Sequence, residues 1–101
     1  MKIETHENTL TLRGTVKEPD LTKLRDVLSE ALAADAVRHV DLSLLRATDV
    51  YLLQLVATAL GEARTRGRAW SVAWSSGARE LAMKVGLEPH IAPFERRGGA
   101  S

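Results

Sequence analysis

"DLSLLRATDVYLLQLV", residues 41–56, passes from one apolar segment through a polar break into another. The first segment belongs to "AVRHVDL", residues 36–42, which reads as a buried strand by its valines and its brevity. From Val50 the period changes. Leu52, Leu53, Val56, Ala57, Ala59, Leu60 and Ala63 share one broad helical face, and Gln54, Thr58, Gly61, Glu62 and Thr65 form the opposite one. This spacing predicts a helix over 50–66 that stops at Gly67. Asp49 stands at the break, where an N-cap carboxylate receives backbone N–H groups. The next residues, Val50 and Tyr51, are bulky for a helix start.

The same alternation of periods runs outward in both directions. "NTLTLRGTV", residues 8–16, alternates apolar and polar, with Leu10, Leu12 and Val16 on one side. Residues 2–5 add a short paired strand through the turn "HEN". Gly14 interrupts the strand, as glycine does at a bulge or a close backbone approach. Leu21, Leu24, Leu28, Ala31 and Leu32 then cluster within about a 100° arc of a helical wheel. They predict a helix over 20–34 with Asp20 as N-cap. Beyond Gly67, "AWSVAW", residues 69–74, is a strand with Trp70, Val72 and Trp74 on one face. Ala69, Ser71 and Ala73 leave the other face open to a packed helix. A third helix opens near Ser75 or Ser76, carries Ala78, Leu81, Ala82 and Val85, and ends at Gly86, where Leu87 suits a glycine C-cap. "HIAPF" reads as a last short strand or extended stretch, and "ERRGGAS", residues 95–101, as a disordered tail. Strands joined through helices run parallel, so the order implies one α/β domain over 1–94. Its sheet is four- to five-stranded, mixed and mostly parallel, and packed by three main helices.

Composition narrows the function. The chain of 101 residues is 45% apolar and 27% charged, ordinary for a soluble globular domain. Its apolar runs are shorter than the roughly 18 residues that span a bilayer, and "MKIETHENTL" lacks the pattern of a signal peptide. Without cysteine there is no disulfide and no thiolate chemistry. A net charge of +1 and 4% aromatic residues argue against a nucleic-acid partner.

At residues 41–56 the pattern resembles STAS domains, the family of anti-sigma factor antagonists. In that family a strand ending D-L-S leads through a short loop to hydrophobic-D-S-S-G-L-x-x-L, then a helix, a glycine and the next strand. Asp41, Leu42, Ser43, Asp49, Leu53 and Gly67 match it. "LRGTV" is similar to the family's L-x-G-x-L strand end, and "SSGARELAMKVGLEP" to its last helix. The likeness spans about residues 8–88. It implies a bacterial, cytoplasmic regulator of transcription that binds a protein partner, such as an anti-sigma factor kinase, at the start of the second helix. In the family that partner phosphorylates a Ser or Thr there, and the added charge of about −1.5 to −2 breaks the complex. Here Val50 and Tyr51 occupy the hydroxyl positions and Leu52 the glycine. Thr48 lies one residue before Asp49, the wrong place. The related pattern D-x-S-F-L-Q-L is closer to "DVYLLQL", but it too keeps a hydroxyl where Tyr51 stands. Lys17 replaces a residue that is often acidic in the family.

The resemblance therefore implies a non-enzymatic binding module not switched by Ser or Thr phosphorylation. An alternative is a STAS accessory subunit of a larger assembly, a lipid-transport ATPase or a chemotaxis-type signalling cluster; a homodimer is also open. The candidate partner-binding residues are Asp49, Val50, Tyr51, Leu52, Leu55 and Lys17. Tyr51 and Leu55, four apart at the edge of the outer face, are either a helix-stabilising pair or exposed anchors. Asp49 caps the helix or touches the partner; a catalytic carboxylate, the remaining reading, is disfavoured because no second acid, histidine or metal motif accompanies it. Lys17 either pairs with Asp49 or stays solvated. His6, His39 and His90 are scattered without ligand spacing, and neither a catalytic constellation nor a phosphate loop is present. Cofactor and metal are accordingly not expected. "SSG", residues 75–77, is a helix cap or an anion contact. Arg64, Arg66 and Arg68 complement the dipole at the end of the second helix.

Overall fold

A computed structural model describes residues 1–47 and 49–95, apart from the side chain of Ala47. Thr48 and residues 96–101, most of the expected tail, lie outside the described residues. The chain opens with an antiparallel pair, β1 (Lys2–His6) and β2 (Thr9–Thr15), in which Ile3 faces Leu12 and His6 faces Thr9. Helix α1 (Glu18–Ala34) leads to β3 (His39–Ala47), which lies parallel to β2. Helix α2 (Val50–Thr65) leads in turn to β4 (Ser71–Trp74), parallel to β3. The sheet order is β1-β2-β3-β4. It is the mixed, mostly parallel sheet that strands joined through helices require.

One face of this sheet carries the core. Leu10 and Leu12 of β2, Val40, Leu42 and Leu45 of β3, and Val72 and Trp74 of β4 are buried. They join Leu24, Leu28, Ala31 and Leu32 of α1 and Leu52, Leu53, Val56, Ala59, Leu60 and Ala63 of α2 in one cluster. Trp70, just before β4, is buried with them. The opposite face is different. Thr9, Thr11, His39, Asp41, Ser71 and Ala73 are half-buried there and Arg13 is exposed. The helix expected over Ser71 and Ala73 is therefore on the other side. His39 is structural, its Nδ1 lying 2.7 Å from Ser71 Oγ.

The expected boundaries shift at four places. Helix α1 begins at Glu18, with Lys17 as its N-cap and Pro19 in its first turn. Asp20 is thus the third helical residue, and its carboxylate accepts the Lys17 backbone N–H at 2.8 Å. That bond is half of a capping box; lysine has no acceptor to return the other half. Strand β3 starts at His39 rather than at Ala36 and runs on to Ala47. Its register to β2 slips by one residue between Gly14↔Leu45 and Thr15↔Ala47 and, before that, by one residue between Thr11↔Asp41 and Arg13↔Leu44, a bulge. Asp41 Oδ1 accepts both the backbone N–H and the hydroxyl of Ser43 at this bulge. The D-L-S letters thus have a structural role.

The third shift is at β4, which begins at Ser71. The fourth is in "HIAPF", which is helical: α4 spans Glu88–Ile91, followed by a 3-10 turn over Ala92–Phe94. Ile91 is fully buried, and Glu95 beyond it bridges Val72 and accepts from Arg79. Helix α3 (Ser76–Val85) starts and stops as expected. Ser75 Oγ accepts from the Ala78 N–H, which makes "SSG" a cap. Gly86 takes φ 79°, and Leu87 N–H bonds back to Ala82 O at 2.8 Å. Val85, expected inward, is exposed. Gly14 takes φ +91° inside β2, where a Cβ would lie 3.9 Å from the Met1 backbone.

Candidate docking site at the start of α2

Asp49 ends the β3–α2 connection in extended conformation, φ −135° and ψ 144°. Its Oδ1 accepts the Tyr51 N–H at 2.7 Å, and its carbonyl accepts the Leu53 N–H at 3.1 Å. Asp49 is thus an N-cap, which satisfies a backbone donor left unpaired by the first turn. The cap fixes the direction in which the next side chains leave the helix. Val50 is half-buried and Tyr51 is 65% exposed. Leu52 is 0% exposed, which corrects its place among the partner-binding candidates. It belongs to the core and can support a docking surface only from beneath. Leu55, one turn after Tyr51, is half-buried.

Tyr51 and Leu55 do not project from a plain convex surface. Together with Gln54 and Thr58 they form the α2 wall of an open groove of about 750 Å³ between α1 and α2. The α1 wall is made by Leu21, Thr22, Arg25, Leu28 and Ser29. Reading the sequence one helix at a time missed this wall. Its one signal was Leu21, an apolar residue in the first turn of α1, which is only half-buried in the fold. Lys17 is exposed at the start of α1 and makes no ion pair with Asp49 among the described residues.

The three arginines near the end of α2 are engaged within the fold. Arg64 lies over the Phe94 ring, 4.6 Å from its centroid. Arg66 pairs with Glu62 at 3.2 Å, and Arg68 pairs with Asp35 at 3.4 Å and donates to Leu32 O. Arg66 and Arg68 thus tie the end of α2 to the end of α1, and Arg64 ties it to the last turn of the chain's described part. Among the described residues, three or more His, Cys, Asp or Glu side chains nowhere converge as a metal site would require. Among the described residues, Asp49 likewise has no acid or histidine as a hydrogen-bond or ion-pair partner. Chemically the site can present a rigid aromatic and aliphatic surface with a polar rim. No helix of the described residues is long and apolar enough to cross a membrane.

A family model described as "Mlab, STAS domain" matches residues 1–88. The chain is a STAS domain. Comparison with curated proteins gives no match. Among solved structures, the chain is similar to the anti-sigma factor antagonist SpoIIAA in its unphosphorylated form, with 19% identity and a TM-score of 0.65. That match covers 89% of this chain and 84% of the SpoIIAA chain. It is also similar to the Bacillus cell fate determinant SpoIIAA in the phosphorylated form, with 19% identity and a TM-score of 0.62. The second match covers 89% of this chain and 86% of the other. At this identity the likeness establishes the STAS fold, a mixed sheet with helices on one face.

Proposed function

We propose that this STAS domain is a non-enzymatic regulatory module that docks a cytoplasmic protein partner on the start of α2 and the groove beside it. The observation that supports this most is Tyr51: a 65% exposed aromatic, held by the Asp49 cap at the mouth of a groove between two helices. An exposed tyrosine buries much area at small cost in side-chain entropy, which is why tyrosines anchor interfaces. Val50, Tyr51, Leu55 and Leu21 supply the apolar part of the surface, and Arg25 and Gln54 its polar rim. In the family's register, neither residue 50 nor residue 51 offers a serine or threonine hydroxyl. The docking is therefore not switched by Ser or Thr phosphorylation at those positions.

A second reading, an accessory subunit of a larger assembly, shares the surface and differs in the partner. It is favoured by the same substitutions, since a permanent subunit needs no release step, and by a match to the Mlab model of the family. The test is common to both. Capture from the native cell identifies the partner as an anti-sigma factor kinase or an assembly subunit, and its affinity is then measured against wild type and Tyr51→Ala. Loss of an interface aromatic of this kind costs about 2 kcal/mol or more, roughly a thirtyfold weakening. Unchanged affinity for the identified partner would move the interface away from α2.

A further inference from the structure

We propose that the open face of the sheet carries a second site, at Lys2, Arg13 and Arg46, which binds the phosphate of an organic phosphate ester. These three cations line an open depression of about 620 Å³ together with Gly14, Thr15 and Leu44. They come from three different strands. Lys2 stands directly opposite Arg13 on β1 and β2, and Arg13 stands opposite Leu44 on β3. Lys2 and Arg13, like charges directly opposite in a sheet, repel, and an anion placed between them relieves that repulsion. Compensation from the protein is partial. Glu4 pairs with Arg13 at 2.7 Å, while neither Lys2 nor Arg46 has an ion pair among the described residues.

The cluster does not follow from overall charge, because the chain carries only +1. It is local, and a concave wall concentrates its field. The bulge in β3 turns Leu44 and Arg46 toward Arg13; without it the alternation after Asp41 would reverse. Arginine presents a planar fork of N–H donors matched to phosphate oxygens, and lysine adds a compact charge. Thr15 supplies a hydroxyl donor. Gly14, at φ +91°, carries no side chain into the depression. Leu44 is 46% exposed and gives the organic body of the ester an apolar contact that a bare inorganic anion would not use.

The ester has two possible sources, a soluble molecule or a lipid headgroup, and two arms of one experiment separate them. In the first, the full chain is titrated with glycerol 3-phosphate while the backbone amide resonances of Gly14, Thr15 and Arg46 are followed. In the second, it is sedimented with vesicles of phosphatidylglycerol or, as the zwitterionic control, phosphatidylcholine. Saturable shifts at those amides, without sedimentation, identify a soluble ester. Sedimentation with phosphatidylglycerol alone identifies a headgroup. In either case Lys2→Glu and Arg46→Glu should weaken binding about tenfold or more, and added salt should weaken it further. Arg46→Gln serves where charge reversal disturbs the fold, as judged by the melting curve. No saturable response in either arm overturns the proposal, and so does binding that all these variants leave unchanged.

Discussion

Tyr51 and Leu52 are neighbours on the first turn of α2, and the helix sends them to opposite environments, 65% and 0% exposed. Their truncations should therefore separate stability from binding. Leu52→Ala removes a fully buried side chain and leaves a cavity, at a cost of about 2–5 kcal/mol. Tyr51→Ala removes a ring that lies outside the core, and its effect on stability should stay within about 0.5 kcal/mol. Urea titration of the two variants checks the contrast. A Tyr51→Ala protein destabilised as much as Leu52→Ala would make the ring structural, and the docking proposal would then fail at its first residue. The helical wheel was enough to sort these two residues, because α2 is a regular helix with a sharp start at Asp49. It could not show that Leu21 and Arg25 face Tyr51 across a groove. That is a relation between two helices, and the sequence pattern of each contains no information about their distance.

At the scale of elements, legibility followed local regularity. Helices α2 and α3 were readable because a capping side chain and a glycine mark their ends: Asp49 and Gly67, Ser75 and Gly86. Strand β3 was misplaced because its bulge breaks the period of two, so the buried residues Leu42 and Leu45 are three apart. "HIAPF" misleads because its proline suggests extended chain, whereas Pro93, like Pro89 just before the segment, sits in the first turn of a short helix, where a missing N–H costs nothing. The sequence offers Asp20 as the N-cap of α1, but its carboxylate reaches back from the third helical position to the Lys17 N–H and also receives the Met1 ammonium at 2.9 Å. The ammonium and then the Lys17 N–H hold the Asp20 carboxyl below its ordinary value of 3.8. A depressed carboxylate stabilises the fold above the unfolded value, and that contribution is lost as pH falls through the lower folded value. Asp20→Asn should accordingly melt below wild type at neutral pH, by a small margin because the half-buried group is still screened by solvent. The margin should close as the pH is lowered past 3.8. A melting difference that stays constant from neutral to acid pH would show that the charge on Asp20 does not support the start of α1.

On the scale of the whole molecule, the parallel arrangement makes the elements interdependent. The β2–β3 and β3–β4 pairs are each closed only through a helix, and those helices bury their apolar stripes on the strands they connect. The order of elements conveyed this much from sequence. It did not convey that all the main helices lie on one side, because the half-polar face of β4, with Ser71 and Ala73, suits a small-residue packing face and an open one equally well. With a single core and a Cα radius of gyration of 12.4 Å, close to the roughly 13 Å of a compact chain of 100 residues, the described residues contain no second unit that could melt alone. The chain contains its own reporters. Trp70 just before β4 and Trp74 at its end lie at one edge of the sheet, while the helical signal comes mainly from α1 and α2. Tryptophan fluorescence and far-ultraviolet circular dichroism should therefore trace the same guanidinium transition, with one midpoint. Val72 and Trp74 share their cluster with Leu10 of β2 and Leu28 of α1, so removing the edge strand exposes the interior on which both helices rest. A fluorescence midpoint at clearly lower denaturant than the helical one would mean that β4 and α3 detach first. The core would then be two cores, and the docking groove between α1 and α2 could survive without the last third of the chain.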